Sequence, residues 1–222
     1  MNMDTTIVLT ILGVVSIIGT IIGLAVYFER RRTTLITEHG TALGFSVQMV
    51  MPGELDGFSG STKLMNTGRG RKAFNILRRE VPPLDVVLCD FRYTVGSGKH
   101  SRTIQQTIAI FRSPRLQTPT FAISPEGFFS RVGAMFGGQD IDFDDSPAFS
   151  RKFVLKGPNE EAIRAFLTPE RRDLLTSHDR LCMEVFPGCM YFWFDGKRTP
   201  PAHLQQFFEQ AFSVYSAFAE PA

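Results

Sequence analysis

The chain has 222 residues, with 24 Lys and Arg against 22 Asp and Glu, a net charge of +2. That balance argues against a nucleic-acid binder, and 43% hydrophobic residues with 21 Phe supply a core for one folded domain. Three cysteines (Cys89, Cys182, Cys189) are an odd number without CxxC spacing, which argues against a disulfide framework and suits a reducing compartment.

From Thr5 to Phe28 no residue is charged, and Ile, Val, Leu and Gly dominate. At ~1.5 Å per residue this run reaches about 36 Å, enough to cross a hydrocarbon layer of about 30 Å with some tilt. A cleaved signal peptide needs a basic leader and a shorter apolar core; Met1-Asn2-Met3-Asp4 has no base and the run is too long. A buried soluble helix of this length without a polar face is unusual. The expected organisation is a short outer N-terminus (1–4), a transmembrane helix (5–28), a juxtamembrane connector (29–42) and a cytoplasmic domain (43–222). Tyr27 and Phe28 suit a membrane interface, and Arg30, Arg31 and Arg32 set the orientation by the positive-inside rule. Gly13, Ser16, Gly19 and Gly23 form a small-residue face that permits close helix packing.

Residues 45–50 read as a strand, and 52–70 as a Gly-rich stretch opened by Pro52-Gly53. Between Gly57 and Arg79 the bases Lys63, Arg69, Arg71, Lys72, Arg78 and Arg79 occur without an acid, a candidate anionic-surface patch next to the anchor. Residues 126–222 carry 14 acids against 10 bases. Arg71–Arg79 is expected to form a short helix closed by Val81-Pro82-Pro83.

Val87–Val95 alternates as a half-buried strand, with Cys89, Phe91, Tyr93 and Val95 inward and Asp90, Arg92 and Thr94 outward. A turn at Gly96–His100 joins it to Arg102–Arg112, giving an antiparallel hairpin; residues 120–123 form a shorter strand. Ser124-Pro125, Thr168-Pro169 and Thr199-Pro200 each read as an N-cap hydroxyl followed by Pro at the first helical position. Phe153–Lys156 reads as a strand and Glu160–Leu167 as a helix, and Leu181–Phe186 with Met190–Phe194 makes a second hairpin. Leu204, Phe207, Phe208, Ala211, Phe212, Tyr215 and Phe218 share one face of a final helix. Hairpins without βαβ alternation indicate the α+β class: an N-terminal transmembrane helix, then a mainly antiparallel sheet with flanking helices.

Candidate chemistry is sparse. Gly96-Ser-Gly-Lys99 lacks the upstream Gly and the following Ser or Thr of a phosphate loop, and a strand rather than a helix follows. Asp140-Ile-Asp142-Phe-Asp144-Asp145 has the first carboxylates of a calcium loop, but Asp145 stands where Gly is required and Arg151 where the bidentate Glu is required. His39, His100, His178 and His203 have no ligand-spaced partner, so no metal or other cofactor is expected.

The stretches Pro119–Glu126, Asp140–Phe143, Phe149–Leu155 and Asn159–Arg164 resemble a family of uncharacterised bacterial single-pass membrane-anchored proteins. The resemblance covers about half the chain and implies a bacterial inner-membrane setting, with no activity or catalytic residue attached. The expected role is a non-catalytic accessory or scaffolding subunit that stabilises a larger membrane complex, with respiratory and photosynthetic assemblies as candidate hosts. Its partners would be the bilayer and other membrane proteins, not nucleic acid. The alternatives are a membrane-anchored enzyme with its site near 140–145, and a peripheral domain binding anionic lipid.

Overall fold

A computed structural model describes residues 3–48, 62–128 and 140–220, with backbone alone for residues 3–10. Val50, the Gly/Ser stretch through Ser61, and Gly137 and Gly138 lie outside the described residues.

One helix, α1 (Met3–Ala42), is long and apolar enough to cross a membrane. From Ile11 to Arg30 its residues are exposed. The segment 29–42, expected as a connector, continues the same helix, and its second half docks on the domain through Ile36 and Gly40, both buried. Gly40 is needed here, because a Cβ would lie 2.3 Å from Leu77 Cδ1.

The domain is built on an eight-stranded sheet in which every pairing is antiparallel. Its strands are β1 (Ser46–Gln48), β2 (Arg69–Val81), β3 (Leu84–Val95), β4 (Arg102–Arg112), β5 (Phe121–Pro125), β6 (Phe153–Lys156), β7 (Leu181–Phe186) and β8 (Cys189–Phe194). They lie in the order β1-β2-β3-β4-β8-β7-β5-β6. The helices are α2 (Lys63–Asn66), α3 (Pro147–Lys152), α4 (Glu160–Phe166), α5 (Pro169–Thr176) and α6 (Leu204–Ala219). The α+β class and both expected hairpins are present.

Three local expectations are corrected. Residues 71–79 belong to β2, not to a helix. Between the pairs Phe74–Asp90 and Leu77–Leu88, two residues of β2 (Asn75 and Ile76) oppose one of β3 (Cys89), so one residue is extra. Asn75 absorbs it as a bulge at φ 52°, a conformation Asn tolerates better than most residues. The bulge turns a period of two into an apparent period of three, which imitates a helix. Pro125 ends β5 instead of opening a helix, so Ser124 is not a cap. Thr168 does cap α5, its hydroxyl accepting from Arg171 N, whereas Thr199 is buried and its backbone N–H donates to Thr107 Oγ1 at 2.9 Å.

The sheet is covered on both faces, so β3 is more deeply buried than its alternation implied. One face packs Val86, Leu88, Ala109, Phe111, Met183 and Phe192 under α6 and the end of α1. The other packs Val87, Phe91, Tyr93, Ile108 and Trp193 under Leu64 and Met65 of α2 and under Phe128. The aromatic face expected for the last helix is buried at Leu204, Phe207, Ala211, Tyr215 and Phe218. Its Tyr215 ring stacks on Phe111 with centroids 5.1 Å apart. Phe111 is fully buried, so Phe111→Ala is expected to lower unfolding free energy by about 3–5 kcal/mol, read by chemical denaturation in detergent micelles.

Candidate functional site

The most heavily connected polar site is the junction between α1 and the sheet. Its centre is Asp90 of β3, whose side chain is 1% exposed. Arg32 of α1 grips it with both arms, Nε donating to Oδ2 and Nη2 to Oδ1, each at 2.9 Å. Asn75 Nδ2 donates to Oδ2 at 2.9 Å and Thr107 Oγ1 to Oδ1 at 2.9 Å. Arg198, in the segment after β8, adds its Nε to Oδ2 at 3.2 Å.

Arg198 also forks onto Glu29 of α1, with Nη1 to Oε1 at 2.5 Å and Nη2 to Oε2 at 2.7 Å. Its guanidinium lies 5.1 Å from the Phe74 ring centroid and its Nη1 reaches Gln105 Oε1 at 2.9 Å. Thr33 Oγ1 donates to Asn75 Oδ1 at 2.9 Å. Two carboxylates and two guanidiniums thus share one neutral cluster, buried at Asp90 and open to solvent at Glu29, that ties the helix to β2, β3, β4 and the β8 segment. Charge-assisted forks of this kind fix geometry as well as adding energy. Burial alone would raise the Asp90 carboxyl, but the hydrogen bonds and charge of Arg32, helped by Asn75 and Arg198, hold it below the ordinary carboxylate value.

A second buried carboxylate lies on the opposite face. Glu184 of β7 accepts the backbone N–H groups of Lys63 and Leu64 at 2.8 Å each, capping the start of α2. Burial dominates here, and the two N–H donors offset it only in part, so the carboxyl is pushed up to about 7.

The residues singled out from sequence divide among several places. Tyr27 and Phe28 are exposed, ring against ring at 5.6 Å. Arg30 and Arg31 are exposed, whereas Arg32 is drawn into the Asp90 cluster. Gly13, Gly19 and Gly23 have nothing within 4 Å of a built Cβ, and Ser16 O accepts from Thr20 Oγ1. The six bases of 63–79 do not form one patch. Arg69, Arg71 and Lys72 lie toward one end of β2. Arg78 pairs with Asp85 at 2.8 Å, and Arg79 donates to Leu43 O toward the other end. Lys63 sits on α2.

The acidic loop is engaged structurally. Asp140 Oδ1 accepts Leu155 N at 2.7 Å, and Asp145 Oδ2 pairs with the buried Arg172 at 2.5 Å. Among the described residues no three His, Cys, Asp or Glu side chains cluster as metal ligands. His178 is buried, edge-on to Phe192, and Asp142 is exposed. Cys182 and Cys189 face Trp193 and Phe186 respectively across the hairpin, and neither they nor Cys89 form a disulfide.

Sequence reasoning missed Asp90, Glu29, Asn75, Thr107 and Arg198 as a unit. The available signal was an Asp in the middle of a long apolar strand, a residue depleted in strands.

Asp90→Asn is expected to cost about 3–5 kcal/mol, because Arg32 and Arg198 lose a buried counter-charge. The Asp90 contribution is present above the ordinary Asp pKa of 3.8 and is lost as pH falls through its lower folded value. Glu184 acts with the opposite sign. Its folded value exceeds the unfolded 4.5, so stability falls by about 3 kcal/mol as pH rises from 4.5 to about 7. Denaturation of the full chain at pH 4.5 and 7.5 should show that slope, and Glu184→Gln should flatten it.

No family model, curated protein or solved structure matches this chain.

Proposed function

We propose that this chain is a non-catalytic membrane-anchored accessory subunit, its domain on the cytoplasmic side, that binds and stabilises a larger membrane protein complex. The observation that carries this reading is the Asp90 junction. An anchor that serves only as a tether needs a flexible connector, whereas here the apolar helix runs without a break into a segment held by Arg32, Glu29 and Thr33. Such a junction fixes how the sheet domain is presented relative to the bilayer, which matters for a scaffold that must meet a partner in one orientation. The same continuity supports a retained anchor over a removable leader. Exposed Arg30 and Arg31 and three cysteines outside any disulfide support the cytoplasmic side. The open Gly13–Gly19–Gly23 face supports contact with partner helices within the bilayer.

Purification of the full chain in mild detergent tests the reading. Co-elution with a defined membrane protein in fixed stoichiometry is expected. Gly19→Ile with Gly23→Ile should weaken it at least tenfold while leaving the unfolding transition unchanged. Recovery of the chain as an isolated monomer would overturn the proposal.

A further inference from the structure

The foot of the sheet, beside the emerging helix, holds an arrangement that the junction does not use. Lys72 of β2 and Arg92 of β3 are directly opposite one another in the ladder. Like charges in that position repel and are destabilising. Both are exposed, and among the described residues neither side chain has a hydrogen bond or an ion pair. They line a cavity of about 470 Å³ whose other wall is Ala25, Glu29 and Thr33 of α1. The only carboxylate on that wall, Glu29, is already forked by Arg198, so the uncompensated charge facing the cavity is cationic.

The height of this cavity follows from the junction. Helix and strand run in the same direction: Thr33 meets Asn75, Gly40 meets Leu77 and Leu43 meets Arg79. From Thr33 to Leu43 the helix rises ~15 Å, and from Asn75 to Arg79 the strand rises ~13 Å, so the two stay level. Continued the other way, Lys72 lies ~10 Å below Asn75, level with helix residues near 26. That is the point where the uncharged run of α1 ends at Tyr27 and Phe28.

We propose that the cavity between α1 and the Lys72–Arg92 pair binds the phosphate-bearing headgroup of an anionic phospholipid in the leaflet from which the helix emerges. This rests on the membrane anchor of the preceding reading and is independent of any partner complex. The headgroup places its anion between two cations that otherwise repel, and its acyl chains follow the apolar helix below Ala25. The site thereby sets the depth of the domain at the bilayer surface.

The test uses the full chain in nanodiscs of equal phosphatidylglycerol and phosphatidylcholine, with bound lipids counted by native mass spectrometry. The wild-type chain should retain phosphatidylglycerol in preference. Lys72→Gln with Arg92→Gln should lower that preference about 30-fold, as the loss of two cations worth ~1 kcal/mol each requires. Lys72→Arg with Arg92→Lys should keep it, and Arg30→Gln with Arg31→Gln should reduce it less. Equal retention of both lipids, or a preference unchanged in the Gln pair, overturns the proposal. A second arm adds millimolar inorganic phosphate to phosphatidylcholine nanodiscs. Phosphate binding that needs Lys72 and Arg92, without phosphatidylglycerol preference in the first arm, would assign the site to free phosphate and overturn the lipid source. A chain that fails to enter nanodiscs overturns the anchor and this site together, whereas insertion without lipid preference overturns this site alone.

Discussion

The carboxylate of Asp90 is the constraint on which the relation between helix and sheet depends. A buried charge with one partner missing is costly, so Arg32, Asn75, Thr107 and Arg198 must all be in place at once. Those residues come from distant parts of the chain, and the helix cannot rotate or slide without separating a guanidinium from its carboxylate. The bulge at Asn75 belongs to the same arrangement. Its left-handed backbone marks where β2 departs from regular pairing and where the Asn75 amide bridges Asp90 to Thr33.

The face of the sheet that meets α1 changes composition along its strands. Under α6 it is apolar, at Val86, Leu88 and Phe111. It becomes polar but fully paired at Asp90 and Thr107, and then cationic at Lys72 and Arg92. Each zone corresponds to the surroundings that the fixed helix imposes: a dry core, a junction, and the level where the apolar run ends. The opposite face carries the contrasting carboxylate. Glu184 has backbone N–H partners but no guanidinium in its cluster, so burial prevails and its pKa rises, while that of Asp90 falls. Two buried acids in one sheet thus titrate in opposite directions because only one has been given a full counter-charge.

Much of the fold was legible where a residue pattern has one physical reading. Alternation over Arg102–Arg112 and the stripe on the last helix both report directly on a buried face. The reading of 71–79 failed because a single bulged residue changes the period. The reading of Ser124-Pro125 failed because Pro is accommodated at the end of a strand as well as at the start of a helix. Arg32 looked like one of three equivalent flanking bases, but within a single helical turn it is the one that faces Asp90, with Arg31 about 100° and Arg30 about 200° around the helix. The bases of 63–79 are likewise put to different uses: Lys72 faces the cavity by the helix, while Arg78 pairs with Asp85.

The sequence by itself determined the long uncharged helix, the antiparallel α+β class and the absence of disulfide spacing, since these follow from local periodicity, length and composition. Only the tertiary structure decided which charges are used and which are left over. Asp90, Arg32 and Arg198 are far apart in sequence, and whether a carboxylate is solvated, clamped or capped depends on which neighbours the sheet order brings within hydrogen-bond reach. The pairing of Lys72 with Arg92 is equally invisible until the register of β2 on β3 is known, because a one-residue shift would turn one of them to the other face.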